Sequence, residues 1–579
     1  MTELTYRKGV PQYTLEHYEK DFADRHLIHG CIAKWAKETP DKVALIDAEG
    51  KRQFTYRQFH QIASAFAMKL LRLGLRQGDF LATMLPFLPE HIFLEYACFQ
   101  IGVIHAPLDL RLKGPEVVRS LSLIEAKAFA FLGKTPVADF SPIGHLVKEQ
   151  CPYVQLFIQF SPPDQTLPFA VSAFTVAAEA EAEAKAALAD PAHAPILQAY
   201  RRAAGAVKET DGAQVIYTTG STGLPKPALL SHRNITAQNM CLGGGFGILD
   251  GSRMLVNLPP SHVGGQAEQL MTPMFWGGTA VVLPIFEPAK TLRAIQEYKV
   301  DSFGQIPALF AMEWRLPNYR DFDLSSLRFA LYGGQQVTRQ FLEQLAAMAP
   351  KFGTGLGLSE MGGFCTYTPL DGTVEDILAS VGFDMPISPI SIRRTMNADG
   401  TAGALMPPGE PGEICFAGPQ VFIAYVNNDD AYRKTVSTDG VCYTGDLGFY
   451  DETGLHFSGR SKLVIKPKGY QVLPAQIEEH FSALRDKVAA AAAVGAPHDI
   501  FTEGVVLFVE KKPGATVTVA ELEAHAKSIA AYMRPALYII LEPGELPLNR
   551  VAKTDYVTLK ERARKAAATA REGGGWDRT

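Results

Sequence analysis

The chain has 579 residues, of which 47% are apolar and 20% are charged, and its net charge is −5. This length predicts two or more domains, and the composition is that of a soluble globular protein. The charge excludes the basic surface that nucleic-acid binding requires. The first residues lack the basic-then-apolar pattern of a signal peptide, and no apolar run is long enough to span a bilayer. We therefore expect a cytoplasmic protein, without an integral membrane segment, that acts on small molecules.

Seven cysteines are scattered along the chain, and none lies in a Cys-x-x-Cys pair. This distribution favours neither a disulfide framework nor a structural zinc site. We expect reduced thiols that are mostly buried.

Residues 27 to 130 alternate helical patterns with short apolar runs. A helix is predicted to open at Phe54-Thr55-Tyr56 and to continue through Leu71, and 91 to 101 has helical spacing as well. The runs 80 to 85 and 103 to 108 read as buried strands. This alternation predicts a doubly wound, mostly parallel α/β sheet.

Three other features of the first half are interpreted as structural. His91 and His105 each lie in an apolar run, which favours a hydrogen-bonded core histidine over a catalytic one. The segment from Ala177 to Ala189 is almost only alanine and glutamate, which predicts an exposed helix in an insertion. A contact of this segment with a second subunit, as in a homodimer, stays open.

The stretch from Ile216 to Pro227 combines glycines, four hydroxyls and a lysine after an apolar run. Glycines let backbone N–H groups approach an anion, while hydroxyls and lysine add donors and charge. With helical character following from Ser231, we expect a strand, a phosphate-binding loop and a helix. The loop is not a Walker loop, because Gly133-Lys134-Thr135 has Ala128 in the place of the first glycine. It is not a dinucleotide fingerprint, since Ile248 takes the last glycine position after Gly243.

These residues resemble the phosphate loop of a superfamily that comprises acyl- and aryl-CoA synthetases, nonribosomal peptide adenylation domains and firefly luciferase. The superfamily pattern is Tyr-Thr-Ser-Gly-Ser/Thr-Thr-Gly-x-Pro-Lys-Gly, from which this chain departs at Thr219 and Pro227. The resemblance implies that the loop holds the β- and γ-phosphates of ATP, through Thr218, Thr219, Gly220, Ser221, Thr222, Gly223 and Lys226.

Later motifs occur in the order of the same superfamily. The resemblance implies that His262 lines the acid pocket and shifts during catalysis, and that Glu360 holds Mg²⁺, a hard cation that accepts carboxylate ligands. Leu356 replaces the tyrosine that usually packs on adenine. The base and the α-phosphate are expected to contact Gly333, Gly334, Gln335, Leu356, Gly357, Leu358 and Ser359. Glycines at 264, 265, 333, 334, 355, 362 and 363, near Tyr332 and Phe364, allow a roomy, partly aromatic acid pocket.

The remaining motifs lie toward the C-terminus. Asp446 follows a strand, and its carboxylate can accept two hydrogen bonds from vicinal hydroxyls, which suits a ribose ligand. The segment around Arg460 resembles the hinge of the superfamily. The resemblance implies that Arg460 contacts the ribose or a phosphate and that Lys462 is the pivot of a mobile C-terminal domain. It also implies that Gly469 lies on a loop that faces the pantetheine tunnel. Lys553 matches the catalytic lysine, although Ala552 replaces the glycine before it.

The resemblance covers about residues 30 to 560 and implies an α/β fold with two domains. Residues 1–461 are expected to form an AMP-binding domain of doubly wound, mostly parallel sheets and a distorted β-barrel. Residues 462–579 are expected to form a small, mobile α+β domain with its hinge at Lys462. Its predicted elements are, in order, a helix (Ala475 to Leu484), two strands (Ala489 to Val494 and Gly504 to Val509), a helix (Val519 to Met533) and a strand (Leu537 to Leu541). Only a short Ala/Lys/Arg-rich tail is expected after Lys553.

The implied activity is an ATP-dependent carboxylic acid–CoA ligase that requires ATP, Mg²⁺ and coenzyme A. It would form an acyl-adenylate and pyrophosphate, and then acyl-CoA and AMP. We expect an aromatic, alicyclic or medium-chain monocarboxylate as the acid. A stand-alone enzyme that loads an acid onto a separate carrier protein is the alternative. Luciferase-like oxidation and a non-enzymatic ligand-binding descendant are further alternatives.

Overall fold

The computed structural model describes residues 2–189, 194–219, 225–249, 251–467, 470, 472–549 and 553–576. The elements of the first half are, in chain order, β1 (Tyr6–Arg7), β2 (Val10–Pro11), α1 (Ile28–Glu38), β3 (Val43–Asp47), β4 (Arg52–Thr55), α2 (Tyr56–Arg72), β5 (Phe80–Met84), α3 (Pro89–Gln100), β6 (Ile104–Pro107), α4 (Gly114–Ile124), β7 (Ala128–Leu132), α5 (Ser141–Gln150), β8 (Leu156–Phe160), β9 (Val171–Ser172), α6 (Ala173–Ala189), α7 (Pro195–Ala206), β10 (Gly212–Thr219), β11 (Pro225–Ser231), α8 (His232–Phe246), β12 (Arg253–Val256), α9 (Thr272–Trp276) and β13 (Thr279–Val282).

The elements of the second half are α10 (Pro288–Tyr298), β14 (Ser302–Gln305), α11 (Pro307–Trp314), β15 (Phe329–Tyr332), α12 (Arg339–Met348), β16 (Lys351–Gly353), β17 (Gly357–Leu358), β18 (Gly363–Phe364), α13 (Val374–Ala379), β19 (Ile390–Arg393), β20 (Gly412–Phe416), β21 (Ala424–Tyr425), α14 (Asp429–Arg433), β22 (Cys442–Asp451), β23 (Gly454–Arg460), α15 (Pro474–Ser482), β24 (Val488–His498), β25 (Thr502–Lys511), α16 (Val519–Ala526), β26 (Leu537–Leu541) and α17 (Tyr556–Glu572). A π-helical turn spans Gly264–Met271, just before α9.

Two parallel-rich sheets dominate the fold. The first has eight strands in the order β21-β11-β10-β6-β5-β7-β8-β9, and the second has seven in the order β16-β15-β14-β12-β13-β3-β4. Within the first sheet β5, β6, β7 and β8 are parallel, and within the second only β3 and β4 pair antiparallel. This arrangement confirms the predicted α/β class.

Helices connect these strands, and capping residues fix where two of these helices begin. The Thr55 hydroxyl accepts a hydrogen bond from the Gln58 backbone N–H and starts α2, and Ser231 caps α8 through Asn234 in the same way. Helix α8 is buried on nearly all sides. It contacts β11 of the first sheet and the π-helical turn that follows β12 of the second. The chain just after the phosphate loop is thereby fixed in the core.

The chain divides into two compact units. The first comprises residues up to 390 and 416–442, and the second comprises 391–415 and 443–576. Strands β19, β20, β22 and β23 form a separate four-stranded sheet in the order β19-β20-β22-β23. A distorted β-barrel was expected in the N-terminal domain, but the described residues form no closed barrel. The functional hinge at Lys462 stays a prediction.

The C-terminal part of the second unit is the predicted α+β arrangement. Strands β24, β25 and β26 form a three-stranded sheet, and β26 has the predicted bounds. Helix α16 ends at Ala526, earlier than expected, and a short 3₁₀ turn at Ala531–Met533 follows. The expected tail is helix α17, whose Leu559, Ala563 and Ala567 are buried in a cluster with residues of the sheet.

Two further expectations can be compared with the structure. All seven cysteines are buried and free, as expected. The Ala/Glu-rich segment is helical, although α6 begins at Ala173 rather than at Ala177. Among the helices of the described ranges, none is long and apolar enough to cross a membrane.

Candidate functional site

The phosphate loop connects two antiparallel strands. Thr218 pairs with Lys226 and Thr219 with Pro225 as the last partners of β10 and β11. The expected order of strand, loop and helix is therefore wrong in one respect, because β11 lies between the loop and α8. Its apolar Ala228 and Leu230 are buried in the sheet, which favours a strand there. Four predicted ligands lie outside the described residues, namely Gly220, Ser221, Thr222 and Gly223. The side chain of Thr219 lies outside them as well.

Tyr217 and Thr218, near the end of β10, are half-buried and buried respectively, and they differ in their polar contacts. The Tyr217 hydroxyl donates a hydrogen bond to the Ser120 carbonyl oxygen over 2.7 Å. The Thr218 hydroxyl oxygen is buried and has no hydrogen-bond partner among the described residues. Because a buried hydroxyl without a partner is costly, this site suits an incoming acceptor such as a phosphate oxygen.

Tyr425 joins two residues that the sequence predicted as separate ligands. Its hydroxyl donates a hydrogen bond to Glu360 Oε1 over 2.6 Å. The Lys226 ammonium nitrogen lies 4.2 Å from the centre of the same ring, within the range of a cation–π contact. Burial is the main cause that raises the pKa of Tyr425 well above its usual range, and the neighbouring Glu360 carboxylate raises it further. The phenol therefore stays protonated and donates the hydrogen bond to Glu360.

Strand pairing brings this cluster together. In β21, Tyr425 pairs with Ala228 and Ala424 with Leu229 of β11. The Val426 N–H donates a hydrogen bond to the carbonyl oxygen of Pro227. Pro227 lacks an N–H of its own, so the departure from the family's glycine removes a donor and keeps an acceptor.

The motif that contains Glu360 forms a tight hairpin. Gly357 and Leu358 pair with β18, and a 3₁₀ turn over Ser359–Met361 connects the strands. The Leu356 N–H donates a hydrogen bond to the Thr366 hydroxyl. A Cβ atom at Gly355 would lie 1.8 Å from the Thr366 carbonyl oxygen. This position therefore requires glycine, and the hairpin presents the half-buried Glu360 toward Tyr425.

His262 and the double-glycine turn follow β12 and β15, two parallel strands of the second sheet that are separated by β14. His262 lies in the loop after β12, where its N–H donates to the Pro259 carbonyl oxygen and its own carbonyl accepts from Gln266. Gly333, Gly334 and Gln335 follow β15. Gly334 has a φ of +94°, and a Cβ atom at Gly333 would lie 2.9 Å from Phe364 Cζ. The turn is thus held against the Phe364 ring.

The second unit carries the predicted ribose ligands. Asp446 and Arg460 are direct partners across β22 and β23, and Arg460 Nε lies 3.0 Å from Asp446 Oδ1. Asp446 is buried, whereas Arg460 is exposed. Next to them, the Gly445 N–H donates to Glu413, whose pKa is raised by burial. The pair forms a carboxylate site with an adjacent cation, which suits a polyol that carries a phosphate.

Lys462 and Lys553 also lie in the second unit. Lys462 is in a 3₁₀ turn over Ser461–Leu463, and its carbonyl oxygen accepts from the Lys560 ammonium. The Asn549 N–H donates to the Lys553 carbonyl oxygen, and the Lys553 N–H donates to Asn549 Oδ1. These two bonds join Lys553 to Asn549. Gly469 lies outside the described residues.

A buried polar cluster that could hold a metal ion lies beneath α3. The ligand atoms of His91, Glu95 and His105 lie within 4.8 Å of one another. The Thr83 hydroxyl lies 3.0 Å from His91 Nε2 and 2.9 Å from His105 Nε2, and the Pro86 carbonyl oxygen lies 2.9 Å from His91 Nδ1.

The hydrogen atoms of this cluster can be assigned by their acceptors. Burial lowers the pKa of His91 to about 4, so the ring is neutral, and Nδ1 must donate to the Pro86 carbonyl oxygen. Nε2 then accepts from the Thr83 hydroxyl, which in turn accepts from His105 Nε2–H. The two histidines are satisfied without an ion, in agreement with the structural role expected for them.

The sequence reasoning missed Tyr425 as a site residue. The segment Ala424-Tyr425 resembles the superfamily's Gly-Tyr pair, and this resemblance does not by itself indicate a ligand. Only the pairing of β21 with β11 shows that its ring and hydroxyl reach Lys226 and Glu360.

The comparisons with known proteins agree with these motifs. Residues 32–426 match the family described as AMP-binding enzyme, and residues 476–553 match the AMP-binding enzyme C-terminal domain. A relative named probable 4-coumarate–CoA ligase 1, from Dictyostelium discoideum, is 29% identical over 86% of this chain and 89% of its own. A second, named medium-chain acyl-CoA ligase ACSF2, mitochondrial, from Bos taurus, is 25% identical over 92% of this chain and 86% of its own.

A solved structure supports the fold. The crystal structure described as ATP-bound MatB from Rhodopseudomonas palustris aligns with a TM-score of 0.75 at 22% identity, over 93% of this chain and 99% of that one. The first family match alone spans more than half of the 579 residues. The chain therefore belongs to the AMP-binding enzyme family, the adenylate-forming ligases that its motifs resemble.

Proposed function

We propose that the protein is an ATP-dependent carboxylic acid–CoA ligase that uses Mg²⁺. The observation that supports this proposal most directly is the contact of Tyr425 with both Lys226 and Glu360. One side chain thereby holds the predicted phosphate ligand and the predicted metal ligand beside each other at the end of the phosphate loop.

The residues fit the two groups that they would hold. The Thr218 hydroxyl and the Lys226 ammonium, at opposite ends of the loop, supply a donor and a positive charge for phosphate oxygens. Glu360 supplies a half-buried carboxylate oxygen, the ligand that Mg²⁺ prefers. When bound, Mg²⁺ would offset the negative charge of the phosphates. In the second unit, Asp446 would accept hydrogen bonds from the ribose hydroxyls beside Arg460.

The first step joins two anions. A carboxylate oxygen attacks the α-phosphorus of ATP, the bond from that phosphorus to the bridging oxygen breaks, and pyrophosphate leaves. Lys553 would stabilise the charge that builds up between the carboxylate and the α-phosphate, while the loop keeps the leaving pyrophosphate in line. His262 would line the acid pocket.

The second step transfers the acyl group to sulfur. The thiolate of CoA attacks the acyl carbon, the carbon–oxygen bond to AMP breaks, and AMP leaves. Because Lys553 would block this approach, we propose that the C-terminal domain turns about Lys462 and brings the loop around Gly469 to the site.

We also retain a cytoplasmic location as a prediction.

A carboxylic-acid panel tests the proposal. Acid-dependent exchange of pyrophosphate into ATP is expected for at least one acid, and CoA-dependent AMP release is expected for the same acid. Exchange without consumption of CoA would favour loading of a carrier protein. Specific ATP binding without exchange for any acid would contradict the ligase and favour a ligand-binding descendant.

A further inference from the structure

A chain of buried polar side chains connects the loop that carries His262 with the end of β14. Its members are Gln269 on the π-helical turn, Asn257 after β12, Gln305 at the end of β14 and Glu313 on α11. Each of the four is at most 3% exposed. We call this chain the amide relay. Because buried polar groups need partners, each member must match its neighbour as donor or acceptor.

Backbone N–H groups fix the direction of the amide relay. Gln269 Oε1 accepts from the Asn257 and Leu258 N–H groups over 3.0 and 2.9 Å. The atom that accepts two N–H groups must be the amide oxygen, so Nε2 points the other way and donates to Asn257 Oδ1 over 3.2 Å. Asn257 Nδ2 then donates to Gln305 Oε1 over 3.1 Å, and Gln305 Nε2 donates to Glu313 Oε2 over 2.8 Å. A flipped Asn257 or Gln269 would place two donors or two acceptors against each other.

Gln305 contacts both segments that are predicted to bind substrates. Its side chain belongs to the amide relay, and its backbone carbonyl oxygen accepts from the Gly333 N–H of the double-glycine turn over 3.3 Å. At the other end, Gln269 holds the first two N–H groups of the loop that leads to His262. A displacement of Gly333 would therefore act on Gln305 and, through Asn257, on that loop.

We propose that Gln305 is a positioning residue that couples the predicted adenine site to the predicted acid pocket, so that ATP binding at the double-glycine turn also orders the His262 loop. The inference rests on the proposed ligase function, in which these segments contact the base and the acid. Such a coupling makes the acid bind more tightly once ATP is present, by about fivefold or more.

Hydrogen exchange tests the proposal without knowledge of the acid. The N–H groups of Asn257, Leu258 and Gly333 report directly on these contacts, since each exchanges only when its hydrogen bond opens. Exchange is measured by mass spectrometry with and without ATP and Mg²⁺. In the wild-type enzyme ATP is expected to slow exchange by about fivefold or more, both in residues 329–337 and in residues 257–271.

Two variants cut the amide relay. Gln305→Met removes both side-chain hydrogen bonds of Gln305 and keeps a side chain of similar length, whereas Asn257→Leu removes the link on the other side. In both variants Gln269 Nε2 can still donate to the Gly304 carbonyl oxygen, 2.6 Å away, and keep the π-helical turn attached to β14. ATP should still slow exchange in residues 329–337, but its effect on residues 257–271 should fall to within about twofold.

Two further variants are matched controls. The double variant Gln305→Glu with Glu313→Gln exchanges the two end groups, so that Asn257 and the amide at position 313 both donate to the carboxyl at position 305. It keeps every bond of the amide relay and should respond to ATP like the wild type. Gln159→Met removes a fully buried glutamine in β8 whose amide bonds only within residues 159–167, and should also leave the response unchanged.

The outcomes separate this inference from the proposed function. The role of Gln305 would be overturned, and the ligase left intact, if ATP slowed exchange only in residues 329–337 of the wild type. The same holds if Gln305→Met responded like the wild type, or if the double variant lost the response. An effect of ATP on neither segment would overturn the proposed ATP site and this inference with it. If Gln305→Met does not fold, Asn257→Leu decides by the same criterion, and the double variant decides where neither folds.

Discussion

Replacing Tyr425 by phenylalanine removes one hydroxyl from the proposed ATP site and keeps the ring. That hydroxyl donates to Glu360 Oε1 over 2.6 Å, and Tyr425 is only 1% exposed, so water cannot easily replace it. A hydrogen bond to a charged group contributes about 1.5–3 kcal/mol, and loss of such a partner commonly weakens metal binding by about 10- to 100-fold. We therefore expect the Mg²⁺ concentration for half-maximal activity to rise at least about tenfold in Tyr425→Phe.

The KM for ATP should change by less than about twofold in this variant, because the ring beneath Lys226 remains and its cation–π contact is kept. The assay is acid-dependent pyrophosphate exchange, measured against free Mg²⁺ at saturating ATP. Tyr425→Leu removes the ring as well and should raise the KM for ATP too. Tyr432→Phe is the matched control, because the Tyr432 ring packs on the same Phe422. An unchanged Mg²⁺ dependence in Tyr425→Phe would refute the coupling of Glu360 to Tyr425.

Three further changes test other parts of the molecule. Lys553→Ala should lower pyrophosphate exchange by about a hundredfold or more but spare thioester formation from a supplied acyl-adenylate; equal loss of both half-reactions would contradict this division. Asp446→Asn should raise the KM for ATP roughly tenfold in steady-state kinetics, and an unchanged KM would argue against a ribose contact. Burial raises the pKa of Glu95 to about 8, so the folded chain binds this proton more tightly than the unfolded chain, and the free energy of unfolding should fall as pH rises toward 8. Glu95→Gln should show a smaller drop in melting temperature between pH 5.5 and 8, and an equal drop would count against a buried, protonated Glu95.

Local patterns were sufficient for elements whose residues interact mainly with their neighbours in sequence. Helix α2 begins at Tyr56 because Thr55 caps it, and β26 is a short apolar run with clear ends. The histidines at 91 and 105 were placed in the core for the same reason. In each case the local pattern of apolar residues carried the information.

Elements that depend on distant partners were missed. Strand β11 begins with Pro225-Lys226-Pro227, a poor local strand signal, and is fixed between β10 and β21. Helix α17 was predicted only as an Ala/Lys/Arg-rich tail, because its buried face consists of one leucine and two small alanines, Leu559, Ala563 and Ala567. This face packs on a sheet formed by earlier residues. Tyr425 was missed because its contacts with Lys226 and Glu360 exist only once the fold brings these residues together.

The late position of strand β21 in the sequence determines when, during synthesis of the chain, the proposed ATP site can be completed. It is the edge strand of the eight-stranded sheet, and it pairs with β11 although it is made much later. A nascent chain that ends before residue 424 already contains the loop, Lys226 and Glu360, but lacks the tyrosine that joins them. Because chains are synthesised from the N-terminus, the proposed phosphate and metal ligands can be aligned only after nearly the whole first unit has been translated. Fragments that stop short of β21 should therefore fail to couple Mg²⁺ to the phosphates, even where the rest of the sheet has formed.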